Sequence, residues 1–159
     1  MLVGAAGAGK STLAARLFAS DAILSSDGYR AVVSGHEADQ RATRTAFAIL
    51  HREVGRRLGA GRTTVVDATS VTPYARRGLL RHAAANDVPA IAIVLDLDPA
   101  VVLGRNARRH DRLVPETIVR RQLADLARSL RPGSLEAEGF AAVHVVRSAA
   151  ELDSLAVAP

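Results

Sequence analysis

Short apolar runs alternate along the chain with longer stretches whose apolar positions recur every three or four residues. Met1, Leu2 and Val3 form an apolar stub before a glycine-rich turn, and Leu13, Leu17 and Phe18 follow at helical spacing. "AILSSD" predicts a short buried strand over 22–25 that ends in polar residues. From Glu37 to about Leu58, the positions of Ala46, Phe47, Ile49, Leu50, Val54 and Leu58 predict a long helix. A strand centred on Val65 and Val66 then ends at Asp67. Thr72-Pro73 predicts the next helix start, with a hydroxyl cap followed by proline at the first helical position. Pro89 to Leu95 is seven nearly continuous apolar residues, as expected of a strand covered on both faces. A short helix from Pro99 runs into an arginine-dense stretch, and another follows with Ile118, Leu123, Leu126 and Leu130 on one side. "FAAVHVVRS" predicts the last strand and "AAELDSLA" a closing helix. Alternating strands and helices argue a parallel sheet in three α/β layers. The first strand is shorter than the usual five or six residues and reads as clipped, as a misassigned start codon would leave it.

Composition narrows the class. At 159 residues the chain is one domain without repeats or linkers, long enough to bury a core. No apolar run is long enough to span a membrane, and no signal peptide precedes the glycine-rich motif. Cysteine is absent, which excludes disulfides and thiolate metal sites. A soluble cytoplasmic protein is expected. The net charge of +5 favours anionic partners such as nucleotides or nucleic acid. Its make-up is more telling: of 21 basic residues, Lys10 alone is lysine. A general bias towards arginine accounts for the other positions, and position 10 is where arginine does not serve.

Lys10 lies in "GAAGAGKS", residues 4–11, which fits G-x-x-x-x-G-K-[ST] at every fixed position. Gly4, Gly7 and Gly9 allow successive N–H groups to turn inward, forming an anion nest at a helix N-terminus. Lys10 would reach the β- and γ-phosphates of a nucleoside triphosphate, and the Ser11 hydroxyl would bind Mg²⁺. Ala8 and Thr12 complete the nucleotide-binding set.

Three further features bear on that site. Asp67 is either an acid holding Mg²⁺ through water or the cap of the next turn. No Glu follows it, so the acid pair of a motor ATPase is missing. In "RNARRHDR", Arg105, Arg109 and Arg112 would share a helix face; such a run is either solvated or part of a lid over the transferring phosphoryl group. "SSDGYR" places Asp27 and Arg30 three residues apart, as a turn with a helix cap or as a catalytic pair. The five histidines do not cluster with acids at ligand spacing, and five aromatics are too few for a base-stacking platform.

Taken together, "GAAGAGKS", "SSDGYR", "TVVDATSVTPYAR" and "DPAVVLGRNARRHDR" resemble the P-loop polynucleotide 5′-hydroxyl kinase family. The likeness is closest to the kinase module of bacterial RNA-repair polynucleotide kinase-phosphatases and covers roughly residues 1–150. It implies a three-layer α/β P-loop fold of kinase type, strand order 2-3-1-4-5, with an arginine-bearing lid over about 105–115. It makes Asp27 the general base for a 5′-hydroxyl, and Arg30 the ligand of the acceptor's 3′-phosphate. Arg105 and Arg109, with Arg112, become the lid arginines on ATP. The expected cofactors are ATP and Mg²⁺, the expected acceptor is a nucleic-acid 5′-OH end, and separate phosphatase or ligase partners would complete a repair reaction. The family usually has Asn where Ser70 stands. A small-molecule P-loop kinase acting on a sugar, nucleoside or antibiotic hydroxyl is the alternative, and a generic ATP-binding AAA-type P-loop protein is a third reading.

Overall fold

The computed structural model describes residues 1–34, 43–109 and 113–157. Over these the chain runs β1 (Leu2–Val3), α1 (Lys10–Leu17), a 3-10 turn (Ser20–Ala22), β2 (Ile23–Ser25), α2 (Ser26–Ser34) and α3 (Thr43–Gly59). It continues with β3 (Val65–Asp67), α4 (Pro73–Ala85), β4 (Ile91–Leu95), α5 (Pro99–Ala107) and α6 (Glu116–Ser129). The last elements are α7 (Ser134–Ala137), β5 (Ala142–Val146) and α8 (Ala149–Ser154). The start of the long helix expected from Glu37 lies outside the described residues. Among the described residues, no helix is long and apolar enough to cross a membrane.

Every strand pair is parallel. One ladder is β1-β4-β5 and the other β2-β3. β1 and β3 lie side by side, and the Gly4 N–H donates to the Thr69 carbonyl at 3.1 Å across the seam. Read through that seam, the order is the expected 2-3-1-4-5. Side chains alternate between the two faces, as the strand geometry requires. Leu2 and Leu95 pack with Leu13, Val102 and Val119 of α1, α5 and α6. Val3 and Val94 face the other way, onto Leu80, Leu126 and Leu135 of α4, α6 and α7. Leu24 and Val66 meet Leu50, Val54 and Leu79 of α3 and α4. β1 is short, yet both of its residues are fully buried, one on each face.

Two local readings change. "SSDGYR" is not a turn: α2 begins directly after β2, capped by the Ser25 hydroxyl, which accepts the Gly28 N–H at 3.3 Å. Tyr29 on this helix packs with Phe47 and Leu58 against the Leu24–Leu50 cluster, so its role is packing. On α6 the core residue is Val119, whereas Ile118 is 44 % exposed. Val119 and Leu126 are two turns apart and share a face; Ile118 is rotated off it by about a quarter turn.

The turn after β3 is held by a buried cation. Ser70 adopts φ 47°, a left-handed conformation that asparagine or glycine takes more readily than serine. Its carbonyl accepts a bond from Arg76 at 2.8 Å, and Arg76 is wholly buried. The same guanidinium grips both oxygens of Glu138, at 2.7 and 2.5 Å, and the Ser129 hydroxyl at 3.0 Å. Ser129 in turn donates to the Val71 carbonyl at 2.7 Å. With all three of its nitrogens bonded, the buried charge is tolerated, and the turn is fixed to α4, to α6 and to the end of α7.

Helices α3 and α4 cross through two histidine–glycine seats. His51 lies over Gly78 and His82 over Gly55, with the two rings 5.6 Å apart. A Cβ at position 78 would stand 2.6 Å from His51 Cε1, so the ring must shift in Gly78→Ala, and this overpacking cancels the roughly 1 kcal/mol that alanine otherwise gains over glycine inside a helix. Unfolding in urea measures this, and a midpoint raised by the full helix-propensity gain would refute the seat. Burial first, then His82 and Arg81, holds the His51 pKa below its usual value of 6.5. The unfolded chain therefore binds the proton more readily, and the stability from neutral His51 is complete above about 6.5 and lost as pH falls below it. His51→Asn should make the loss of stability between about pH 7 and pH 5 shallower; an identical slope would contradict the assignment.

Candidate active site

The loop between β1 and α1 is built around its glycines. Gly7 has φ +86°, and a Cβ there would come within 2.5 Å of the Val102 carbonyl oxygen, so no other residue fits. Gly9 has φ +98° and its carbonyl accepts the Leu13 N–H at 2.9 Å, starting α1. The first amides of that helix lack intrahelical partners and leave a positive pole at the loop. Lys10 is buried and folds back, its Nζ donating to the carbonyls of Gly4 and Ala5, each at 2.9 Å. The ammonium is thereby fixed over the mouth of the loop.

Asp67 ends β3, buried beside α1. Its Oδ2 accepts the Ser11 hydroxyl at 2.6 Å. The carboxylate thus addresses the loop serine. A hydroxyl and a carboxylate side by side are the hard oxygen donors that suit Mg²⁺, so Ser11 and Asp67 fit that ion. Among the described residues, no three or more His, Asp or Glu side chains gather as a metal cluster.

The parallel register sets Ser25 of β2 opposite Asp67 of β3, so the chain leaving β2 brings Asp27 to the same sheet end. Asp27 is in the first turn of α2 and forms an ion pair with Arg30 one turn later. Arg30 is 4 % exposed, which places its charge inside the protein against that carboxylate.

A cavity of about 550 Å³ opens at the carboxyl ends of β1, β2 and β3. Gly7, Gly9, Lys10, Ser11 and Thr12 line it from the loop. Asp27, Asp67, Arg105 and Arg109 line it from the other elements. Gly4 and Ala8 are buried under the loop and, like Arg30, are not part of the lining. Arg105 is in the last turn of α5, and Asn106 beside it is buried. The Asn106 side chain donates to the Val114 carbonyl at 2.7 Å and accepts the Val114 N–H at 3.3 Å, tying α5 to the chain before α6. The expected lid spans that tie, and Arg112 lies outside the described residues.

Three lining residues had no signal in the sequence pattern. Gln122 comes from α6, and Leu152 and Asp153 from α8. α8 is drawn to the site by Arg16, whose guanidinium donates to the carbonyls of Leu152, Asp153 and Leu155 at the helix's last turn. A spacing rule cannot show such a contact, because 136 residues separate Arg16 from Leu152.

The phosphate loop, the parallel sheet and the acid-and-arginine rim at the strand ends together define a kinase-type P-loop domain. The chain belongs to the AAA domain family designated AAA_33, whose model matches residues 1–132. Among solved structures it is similar to a sugar kinase from Janibacter sp. HTCC2649, with 20 % identity and a TM-score of 0.59 over 97 % of this chain and 84 % of that one. It is also similar to a gluconokinase from Sinorhizobium meliloti 1021, with 18 % identity and a TM-score of 0.56 over 98 % of this chain and 91 % of that one. At such identities these likenesses speak for the fold. A search of curated proteins finds no match.

Ser11→Ala removes one of the two oxygens suited to Mg²⁺. ATP binding with Mg²⁺ present should weaken about tenfold, while binding in a chelator stays within about twofold. Titration calorimetry separates the two, and equal weakening in both conditions would refute the metal assignment.

Proposed function

We propose that this protein is an ATP-dependent kinase that transfers the γ-phosphoryl group to a hydroxyl of a small-molecule acceptor, a sugar or nucleoside being the nearest chemical class. The observation that carries the reading is that Asp27, Lys10, Asp67, Arg105 and Arg109 all line one cavity. Asp27 takes the proton from the acceptor hydroxyl as the oxygen attacks phosphorus in line with the leaving ADP. Lys10 and the arginines Arg105 and Arg109 balance the charge on the phosphoryl oxygens. Ser11, and Asp67 through water, would hold Mg²⁺, which would supply further charge neutralisation at the phosphates.

The choice of acceptor rests on Arg30. A polynucleotide acceptor would supply a phosphate for this residue to bind. Here the guanidinium is buried, outside the cavity lining, and turned onto Asp27. In that position it pairs with the base, whose carboxylate lines the cavity. The folds of a sugar kinase and a gluconokinase also support a small acceptor. The basic net charge and the motif order support the 5′-hydroxyl polynucleotide reading, which the same experiment tests.

Purified protein with Mg²⁺ and γ-labelled ATP should label an acceptor in a panel of sugars, nucleosides, nucleoside 3′-monophosphates and 5′-hydroxyl oligonucleotides. The expected result is transfer to a neutral small hydroxyl compound; labelling confined to the oligonucleotide and the 3′-monophosphate would overturn the small-acceptor reading. Asp27→Asn should lower kcat by about 10²–10⁴ and leave ATP binding nearly intact. Transfer at the original rate in that variant would remove Asp27 from the mechanism.

A further inference from the structure

Among the polar lining residues that none of these roles uses (Ser26, Thr69, Gln122 and Asp153), Gln122 reaches across from α6 and bonds the phosphate loop. It projects from α6, a helix held rigidly at both ends of the relevant stretch. Val119 is fully buried one turn before it, Leu126 is buried one turn after it, and Val114 is locked to Asn106. Its Oε1 accepts the Ala6 N–H of the phosphate loop at 2.8 Å. That bond settles which way the amide points, because a backbone N–H can be met only by the oxygen. The nitrogen, with two N–H donors, is therefore turned away from the loop backbone. Among the described residues nothing accepts from it, and the residue lines the cavity.

The position of Ala6 says what those donors would meet. Lys10 Nζ sits on the carbonyls of Gly4 and Ala5, immediately before Ala6. The ammonium and the Gln122 amide thus meet three consecutive residues of the loop. A lysine of this loop serves the β- and γ-phosphates, and Asp27 and Asp67 line the same cavity. An amide donor there faces phosphoryl oxygen, and a neutral donor adds no charge that would trap the product.

We propose that Gln122 is a catalytic residue that donates a hydrogen bond from Nε2 to the transferring γ-phosphoryl group, while its oxygen braces the loop at Ala6. The inference rests on the reading of the cavity as an ATP site, and deepens it by assigning the group that senses the third phosphate. Anchored on a rigid helix, the donor needs no reorganisation as charge spreads over the phosphoryl oxygens.

The test uses the intact protein with Mg²⁺, titrated by calorimetry with ADP and with the non-hydrolysable β,γ-imido analogue of ATP. Gln122→Glu keeps an acceptor for the Ala6 N–H and loses the donors; Gln122→Met loses both without adding charge. Each variant should bind the triphosphate analogue about tenfold more weakly than the original protein and bind ADP within about twofold. Parallel loss of both ligands would show a merely structural brace and overturn the assignment, and so would unchanged binding of both. Because Gln122→Glu also adds a negative charge beside the phosphate, Gln122→Leu, which loses the donors without adding charge, takes the place of Gln122→Met if that variant proves unstable. Original protein that bound neither nucleotide would overturn the ATP site itself; original discrimination retained in the variants would overturn the role of Gln122 alone.

Discussion

The arrangement depends on how the two ladders are joined. β1 pairs with β4 and β2 with β3, and the seam between them is closed by the Gly4 amide on the Thr69 carbonyl and by Ser11 on Asp67. The first is a backbone bond and the second a side-chain bond, and both sit at the carboxyl ends of the strands. Ligand sites in open parallel sheets form at that end, where neighbouring loops diverge. In this protein the seam is also the floor of the cavity. Anything that loosens it separates the phosphate loop from the acid that ends β3, so fold stability and site geometry rest on the same few atoms.

Much of this was readable from the chain. The glycine-rich loop, the β3 end at Asp67 and the Thr72-Pro73 helix start each carry a local chemical signal, and each appears where that signal puts it. The near-continuous apolar run up to Leu95 gave β4 for the same reason. Where the pattern misled, the cause was rotational phase or a missing turn. Ile118 and Val119 are adjacent apolar residues, and only packing decides which faces the core. α2 follows β2 without a loop, so no turn residues announce it.

The site was legible one residue at a time and less so as an assembly. Lys10, Ser11, Asp27, Asp67, Arg105 and Arg109 meet around one cavity, as motif chemistry led one to expect. Arg30 was visible as Asp27's neighbour in sequence, but its burial on that carboxylate depends on α2 being helical from Ser26. Gln122, Leu152 and Asp153 reach the cavity only through tertiary contacts, of α6 with the loop and of α8 with Arg16. Long-range contacts of this kind leave no periodic trace.

The turn at Ser70 has a consequence for how this sequence can vary. Ser70 sits at φ 47°, where asparagine or glycine would be more at ease. Here serine holds that backbone shape, and the restraint comes from Arg76 on α4, Ser129 on α6 and Glu138 just after α7. The shape of the turn therefore rests on contacts and not on the preference of its own residue. A change at Ser129 or Glu138 is felt at Ser70, far away along the chain, through the one guanidinium that all three share.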